Sequence, residues 1–196
     1  MRFLKLFFFF IAFQSFAQNQ IEFESIEVDE SESFLLDLNL ENDEEVKAAI
    51  DQCVATGFEA VILSFGSHLN MEDSSAQNIN RWKALADYAH QKNILLGGYS
   101  LFSSRTISPQ DDVIDAKTGK PGGAFFGNAP CFGSNWGLGY RDKIVDFFKQ
   151  TKFDIWENDG PYPGDVCAST THPGHKGLDD SQWKQMNIQK GLYQSL

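Results

Sequence analysis

Two spacings of apolar residues take turns along this chain, one that repeats with the helical turn and one that runs continuously or every second residue. Residues 34–40 read as a first strand. Asn42 or Asp43 then caps a helix in which Val46, Ala49, Ile50, Cys53 and Val54 recur at helical spacing, and Gly57 supplies a left-handed stop. Ala60–Leu63 is an unbroken apolar run, as expected of a parallel strand buried on both faces. A second helix is predicted over residues 75–92, with Ile79, Trp82, Leu85, Ala86 and Ala89 as its inward stripe, and a third strand over 95–102. Residues 103–138 are rich in Gly, Pro, Ser and Asn and too long for a plain connection, and loops of that length usually carry function. A third helix over 140–150 turns Ile144, Val145, Phe147 and Phe148 inward and feeds a fourth strand over 153–159. A second long loop, 160–178, leads to a last helix, where Asp179 with Gln182 resembles a capping box and Trp183, Met186 and Leu192 point to the core.

The order is strand–helix repeated, with no hairpin, which calls for a parallel sheet covered by helices: an open doubly wound sheet or a (β/α)8 barrel. No Gly-x-Gly-x-x-Gly follows the first strand and no phosphate loop occurs, so a nucleotide fold is disfavoured. Long loops after strands three and four favour the barrel. The expected fold class is therefore α/β, a partial (β/α)8 TIM barrel of about four βα units with parallel strands.

Ahead of this pattern the chain opens on Arg2 and Lys5, runs through an apolar stretch ending near Phe13, and reaches Ser15-Phe16-Ala17. This is the layout of a cleaved signal peptide over residues 1–17, too short an apolar run to span a bilayer. No later stretch is long and apolar enough to do so. Residues 18–33 form an acidic, extended lead-in, and 34–196 is the barrel-like domain, read as a truncated half. Export implies a secreted or periplasmic protein. Losing Arg2 and Lys5 would take the formal net charge from −11 to −13. Nucleic acid and anionic membranes would be repelled, whereas a neutral oligo- or polysaccharide would not.

Within the fourth strand Phe153, Ile155, Glu157 and Asp159 lie on one side, and the Gly160-Pro-Tyr-Pro-Gly164 turn then ends the ladder. Two carboxylates thus stand together at the C-terminal end of a strand, where parallel α/β folds gather ligands and catalytic groups. The next loop carries Tyr162, Asp165, His172 and His175. Asp165 with the two histidines admits a divalent ion, but zinc takes three or four fixed ligands and the Gly/Pro context fixes little. No metal and no cofactor is expected. Hydrogen bonds from His172 and Asp165 to a sugar, with Trp136 and Tyr162 stacking on its ring, are the expected roles. Cys53 falls on a helix's apolar face, while Cys131 and Cys167 lie in loops and form the natural disulfide pair in an oxidising compartment.

Residues 84–100, ALADYAHQKNILLGGYS, together with Gly127-Asn128-x-x-Cys131 and the interval from Gly139-Tyr140 to Asp159, resemble the melibiase-type α-galactosidases, glycoside hydrolase families 27 and 36. The resemblance implies a retaining α-glycosidase with Asp159 as nucleophile and Tyr99 lining the sugar pocket. It also sets Cys167 close to the partner of the cysteine that Cys131 matches. The chain departs from the pattern in three places. Ser64-Phe65-Gly66-Ser67 stands where that family has an Asp pair gripping sugar hydroxyls. Glu157 stands where it has Lys, a binding or tuning carboxylate in place of a cation. Its acid/base residue belongs to a sixth strand, beyond the four read here. Three readings follow: a secreted glycoside hydrolase acting on an α-linked sugar, a catalytically incomplete carbohydrate-binding fragment, or a metal-assisted hydrolase using Asp165, His172 and His175.

Overall fold

The computed structural model describes residues 35–38, 40–159 and 164–196. Signal peptide, lead-in and Tyr162 lie outside the described residues. The elements alternate as β1 (Leu35–Leu38), α1 (Asp43–Thr56), β2 (Ala60–Leu63), α2 (Ala76–His90), β3 (Leu95–Leu101), α3 (Asn135–Thr151), β4 (Ile155–Asp159) and α4 (Leu178–Tyr193). The four strands make one sheet in the order β1-β2-β3-β4. β1, β2 and β3 pair in parallel, Leu35 opposite Ala60 and Ala60 opposite Leu95. A doubly wound sheet reverses its strand order at a switch point. The sequential order found here is consistent with a partial barrel.

Local chemistry explains the boundaries. Asn42 Oδ1 accepts the backbone N–H groups of Glu44 and Glu45, both at 3.1 Å, and three acidic residues occupy the first turn of α1, where the helix dipole favours them. Gly57, at φ 85°, ends the helix by donating its N–H to Cys53 O at 2.9 Å. Asn93 and Lys152 adopt the same left-handed turn at φ 59° and 64° after α2 and α3. α3 starts five residues earlier than its apolar stripe suggests. Gly137 and Gly139 weaken the sequence signal, yet Ser134 Oγ accepts the Gly137 N–H at 3.2 Å and starts the helix.

The chain divides into two compact units, one comprising residues up to Asn70 with Ala76–Tyr99 and Thr151–Glu157, the other Met71–Ser75, Ser100–Gln150 and Asn158–Leu196. In the first, β2 is buried throughout, and Trp82 is fully buried with its N–H on Asn78 Oδ1 at 3.0 Å and its ring edge-on to Phe153 at 6.0 Å. Gly97 is required there, since a Cβ would lie 2.9 Å from Ile155 Cβ and 3.0 Å from Ile62 Cγ1.

The second unit is held by an aromatic cluster. Phe102 meets Phe132 at 4.5 Å and Tyr140 at 5.2 Å, and Trp136 meets Tyr140 at 4.9 Å. Its helix α4 corrects the sequence reading. Trp183 is 62% exposed and Met186 40%, whereas Ser181, Gln185, Gln189 and Leu192 face inward. The buried polar groups have work there: Gln185 accepts from Phe132 N–H at 3.1 Å and donates to Asp165 O at 2.8 Å, and Ser181 Oγ accepts from Cys167 N–H at 3.1 Å. Asp180, not Gln182, reaches back over the helix start, accepting from Gly177 N–H at 3.1 Å and Lys176 N–H at 2.9 Å. Gln182 donates to Gly164 O at 3.1 Å.

Candidate functional site

Within the first unit, Tyr99 is half-buried on β3 and its ring lies 6.4 Å from that of Phe65, which is 64% exposed. Phe65 belongs to the segment after β2 and was not singled out by sequence. Glu157 is half-buried on β4. Within the second unit, Asp159 closes β4 with its side chain exposed, and its carbonyl oxygen accepts the Phe102 N–H at 3.0 Å. The strand end is thereby fixed at an exposed aspartate.

Other expected sugar contacts are engaged inside the second unit. Trp136 donates its indole N–H to Glu72 Oε2 at 2.8 Å, and the Arg105 guanidinium stacks 5.3 Å from its ring centre while pairing with Glu72 Oε1 at 2.8 Å. Edge and face of the indole are both in use. Asp165 Oδ1 accepts the Phe125 N–H at 2.9 Å and so ties one loop to another.

His172 is 5% exposed and takes part in a different constellation. Cys131, Cys167, His172 and His175 are all buried, and one ligand atom from each lies within 4.8 Å of the others. Cys131 Sγ is 3.3 Å from His175 Nε2, and Cys167 Sγ is 3.5 Å from His172 Nδ1. All three cysteines are free thiols. The expected Cys131–Cys167 disulfide is therefore corrected: each sulfur faces an imidazole nitrogen. The expected sugar contact of His172 is corrected too, because its ring is buried and both nitrogens are engaged. Its Nε2 lies 2.9 Å from Gln110 O, and a carbonyl can only accept, so Nε2 carries the hydrogen and Nδ1 is left to face the sulfur.

The electrostatics of the four groups are mutual. The hydrogen bond between the two sulfurs raises the pKa of Cys131 and lowers that of Cys167, so the two titrate as a pair. Burial is the largest influence on His172 and opposes its charge, but the bond and attraction to the Cys167 sulfur, with the Gln110 carbonyl and Asp111, together outweigh it and raise the pKa. Backbone donors support the sulfurs as well, Ile114 N–H at 3.4 Å from Cys167 Sγ and the N–H groups of Gly133 and Ser134 at Cys131. Two glycines let the loops meet. Gly174 N–H donates to Gly133 O at 2.7 Å, and a Cβ on Gly133 would strike the His175 ring.

No protein-family model and no curated protein matches this chain. Among solved structures it is similar to the α-N-acetylgalactosaminidase NagBb from Bifidobacterium bifidum. Against the GalNAc complex the TM-score is 0.54 at 14% identity, covering 80% of this chain and 28% of that one. Against the ligand-free form it is 0.53 at 14% identity, covering 81% and 30%. The chain has a glycoside-hydrolase-like fold. It spans less than a third of the length of the enzyme it matches.

Sequence reasoning placed the carboxylate pair on β4 and noticed the two histidines, but paired the cysteines with each other. The available signal was His-x-x-His close after Cys167, with Cys131 in the loop after β3. Metal-site spacing is easy to read when ligands come as Cys-x-x-Cys. Here the first ligand comes from a loop one βα unit earlier, so only the folded chain shows the set.

Proposed function

We propose that this chain is the nucleophile-bearing part of an exported glycoside hydrolase, acting on an α-linked sugar by a retaining mechanism with Asp159 as nucleophile. The observation that carries this is an exposed carboxylate at the C-terminal end of the fourth strand in a glycoside-hydrolase-like fold. Such a carboxylate can attack an anomeric carbon, while a second carboxylic acid protonates the leaving oxygen. Glu157, two residues back on the same strand, tunes Asp159 or binds a hydroxyl, since a neighbouring carboxylate disfavours a second charge. Within the first unit, Tyr99 and Phe65 present aromatic surface of the kind a pyranose stacks on, and Tyr162 is a further proposed sugar contact. Trp136, Asp165 and His172 shape loops in this reading. The net charge of −11 suits a neutral saccharide, and residues 1–17 direct export.

The test is turnover of aryl α-galactosides and aryl α-N-acetylgalactosaminides that carry a good leaving group. Asp159→Ala should abolish turnover and leave sugar binding largely intact, and azide should partly restore the reaction by filling the space of the lost carboxylate. Glu157→Gln should cost less. Full activity in Asp159→Ala, or a mechanism-based inhibitor that labels Glu157 instead, would overturn the assignment. Glu157, standing where the resembled family has Lys, favours a second reading as a carbohydrate-binding fragment. Calorimetric sugar binding with no turnover in the unmutated chain would support that one.

A further inference from the structure

We propose that Cys131, Cys167, His172 and His175 form a closed, structural zinc site. The donor set is the first argument. Two thiolates and two imidazoles in four-fold coordination suit zinc, and a site with four protein ligands leaves no open position for catalysis. Geometry is the second. Zinc–sulfur and zinc–nitrogen bonds of about 2.3 and 2.0–2.1 Å at a tetrahedral angle put sulfur and nitrogen about 3.6 Å apart. The two sulfur–nitrogen distances found are 3.3 and 3.5 Å. All four ligand atoms lie within 4.8 Å of one another, close enough to converge on one ion.

The surroundings agree. His172 holds its outer nitrogen on Gln110 O at 2.9 Å, the backbone partner that metal-bound histidines use to fix ring orientation. His175 is 5% exposed and its Nδ1 has no hydrogen-bond partner, so hydrogen bonding through its outer nitrogen does not explain why the ring is buried. Coordination through Nε2 does. Val113, Ala124 and Ala129 pack with the two cysteines and keep water from the sulfurs. Residues 164–177 contain no helix or strand, yet they bring three of the four ligands to the loop that carries Cys131. The ion ties these two loops together, the role a disulfide was expected to fill. Binding releases the thiol protons and leaves both sulfurs as thiolates.

The experiment uses the full chain, produced without a metal-binding tag. Elemental analysis of the purified protein should find one zinc per chain. After chelation, Co²⁺ should give the visible bands of a tetrahedral thiolate-bound ion, and zinc should displace it at one equivalent. Cys131→Ser and His175→Ala should each lose the ion to dialysis against chelator, and Asp165→Asn should keep it. Should these variants fail to fold, the unmutated chain still decides: zinc should protect both Cys131 and Cys167 from a thiol reagent, and chelator should expose them. A metal-free protein whose mass and peptide map show a Cys131–Cys167 disulfide would overturn the proposal. Co²⁺ spectra without thiolate bands, or full zinc retention in Cys131→Ser, would do the same.

Discussion

Gly133→Ala is the sharpest single perturbation of the metal site, because it changes no ligand. The added methyl would press on His175 Cδ2, with Nε2 at 3.3 Å, and relief to ordinary carbon–carbon separation needs a shift of about 1 Å. Gly133 has little freedom to yield, since its carbonyl is bonded to Gly174 N–H at 2.7 Å and a Cβ on Gly174 would in turn lie 2.6 Å from Gly133 Cα. The imidazole must therefore retreat. Without metal, overpacking of this kind should cost about 1–3 kcal/mol. With zinc the loss should be larger, because a ligand held at 100 times its Kd adds about 2.7 kcal/mol to folding and the displaced ring forfeits much of that. Urea unfolding of both proteins, each with and without a fixed free zinc concentration, separates the two costs. Equal destabilisation in both conditions, with unchanged zinc affinity, would refute the coordination of His175 and the reasoning from close loop contact.

Further outcomes follow from other sites. Gly97→Val should destabilise the first unit by about 3 kcal/mol, since the new side chain meets Ile155 and Ile62 at about van der Waals overlap; thermal unfolding checks it. Trp136→Phe removes the indole donor to Glu72 Oε2 at 2.8 Å and should cost about 1–2 kcal/mol, and Arg105→Lys should repeat part of this by losing the guanidinium stack. Burial alone would raise the pKa of Asp111, but the N–H of Trp136 and the hydroxyls of Ser108 and Ser134 outweigh it and hold the carboxyl below 3.8. A carboxyl depressed by folding stabilises fully above its unfolded pKa and loses that contribution as pH falls through the folded value. Asp111→Asn should therefore lower stability at neutral pH and flatten its decline below about pH 4, as denaturant midpoints across that range would show. A mutant with an unchanged acid limb would count against this.

The elements were legible where one physical signal dominated. Asn42 and Gly57 bracket α1 as caps do anywhere, and the apolar run of Ala60–Leu63 could hardly be other than a buried strand. The start of α3 was hidden because Gly137 and Gly139 speak against helix, and the Ser134 hydroxyl that begins it acts only in the folded loop. The inward face of α4 was hidden for a different reason. Hydrophobic spacing points to Trp183 and Met186, but this helix packs on loops whose backbone groups need partners, so Gln185 and Ser181 go inside. The carboxylates of β4 could be found from alternation alone. Their three-dimensional neighbours could not, nor could the geometry that sets Cys131 against His175.

The carboxamide of Gln185 has a consequence for the order of folding. Its two partners, Phe132 and Asp165, stand 53 and 20 residues earlier in the chain, and an amide gains nothing until both loops present their backbone groups. An apolar helix face can adhere early and slide; this one is rewarded only in its final register. Docking of α4 thus belongs to the late, topology-limited part of folding, when the chain entropy of closing both loops has already been lost. Gln185→Leu, which suits a generic amphipathic helix, should let α4 collapse sooner and in more than one register, trading a unique ending for a faster one.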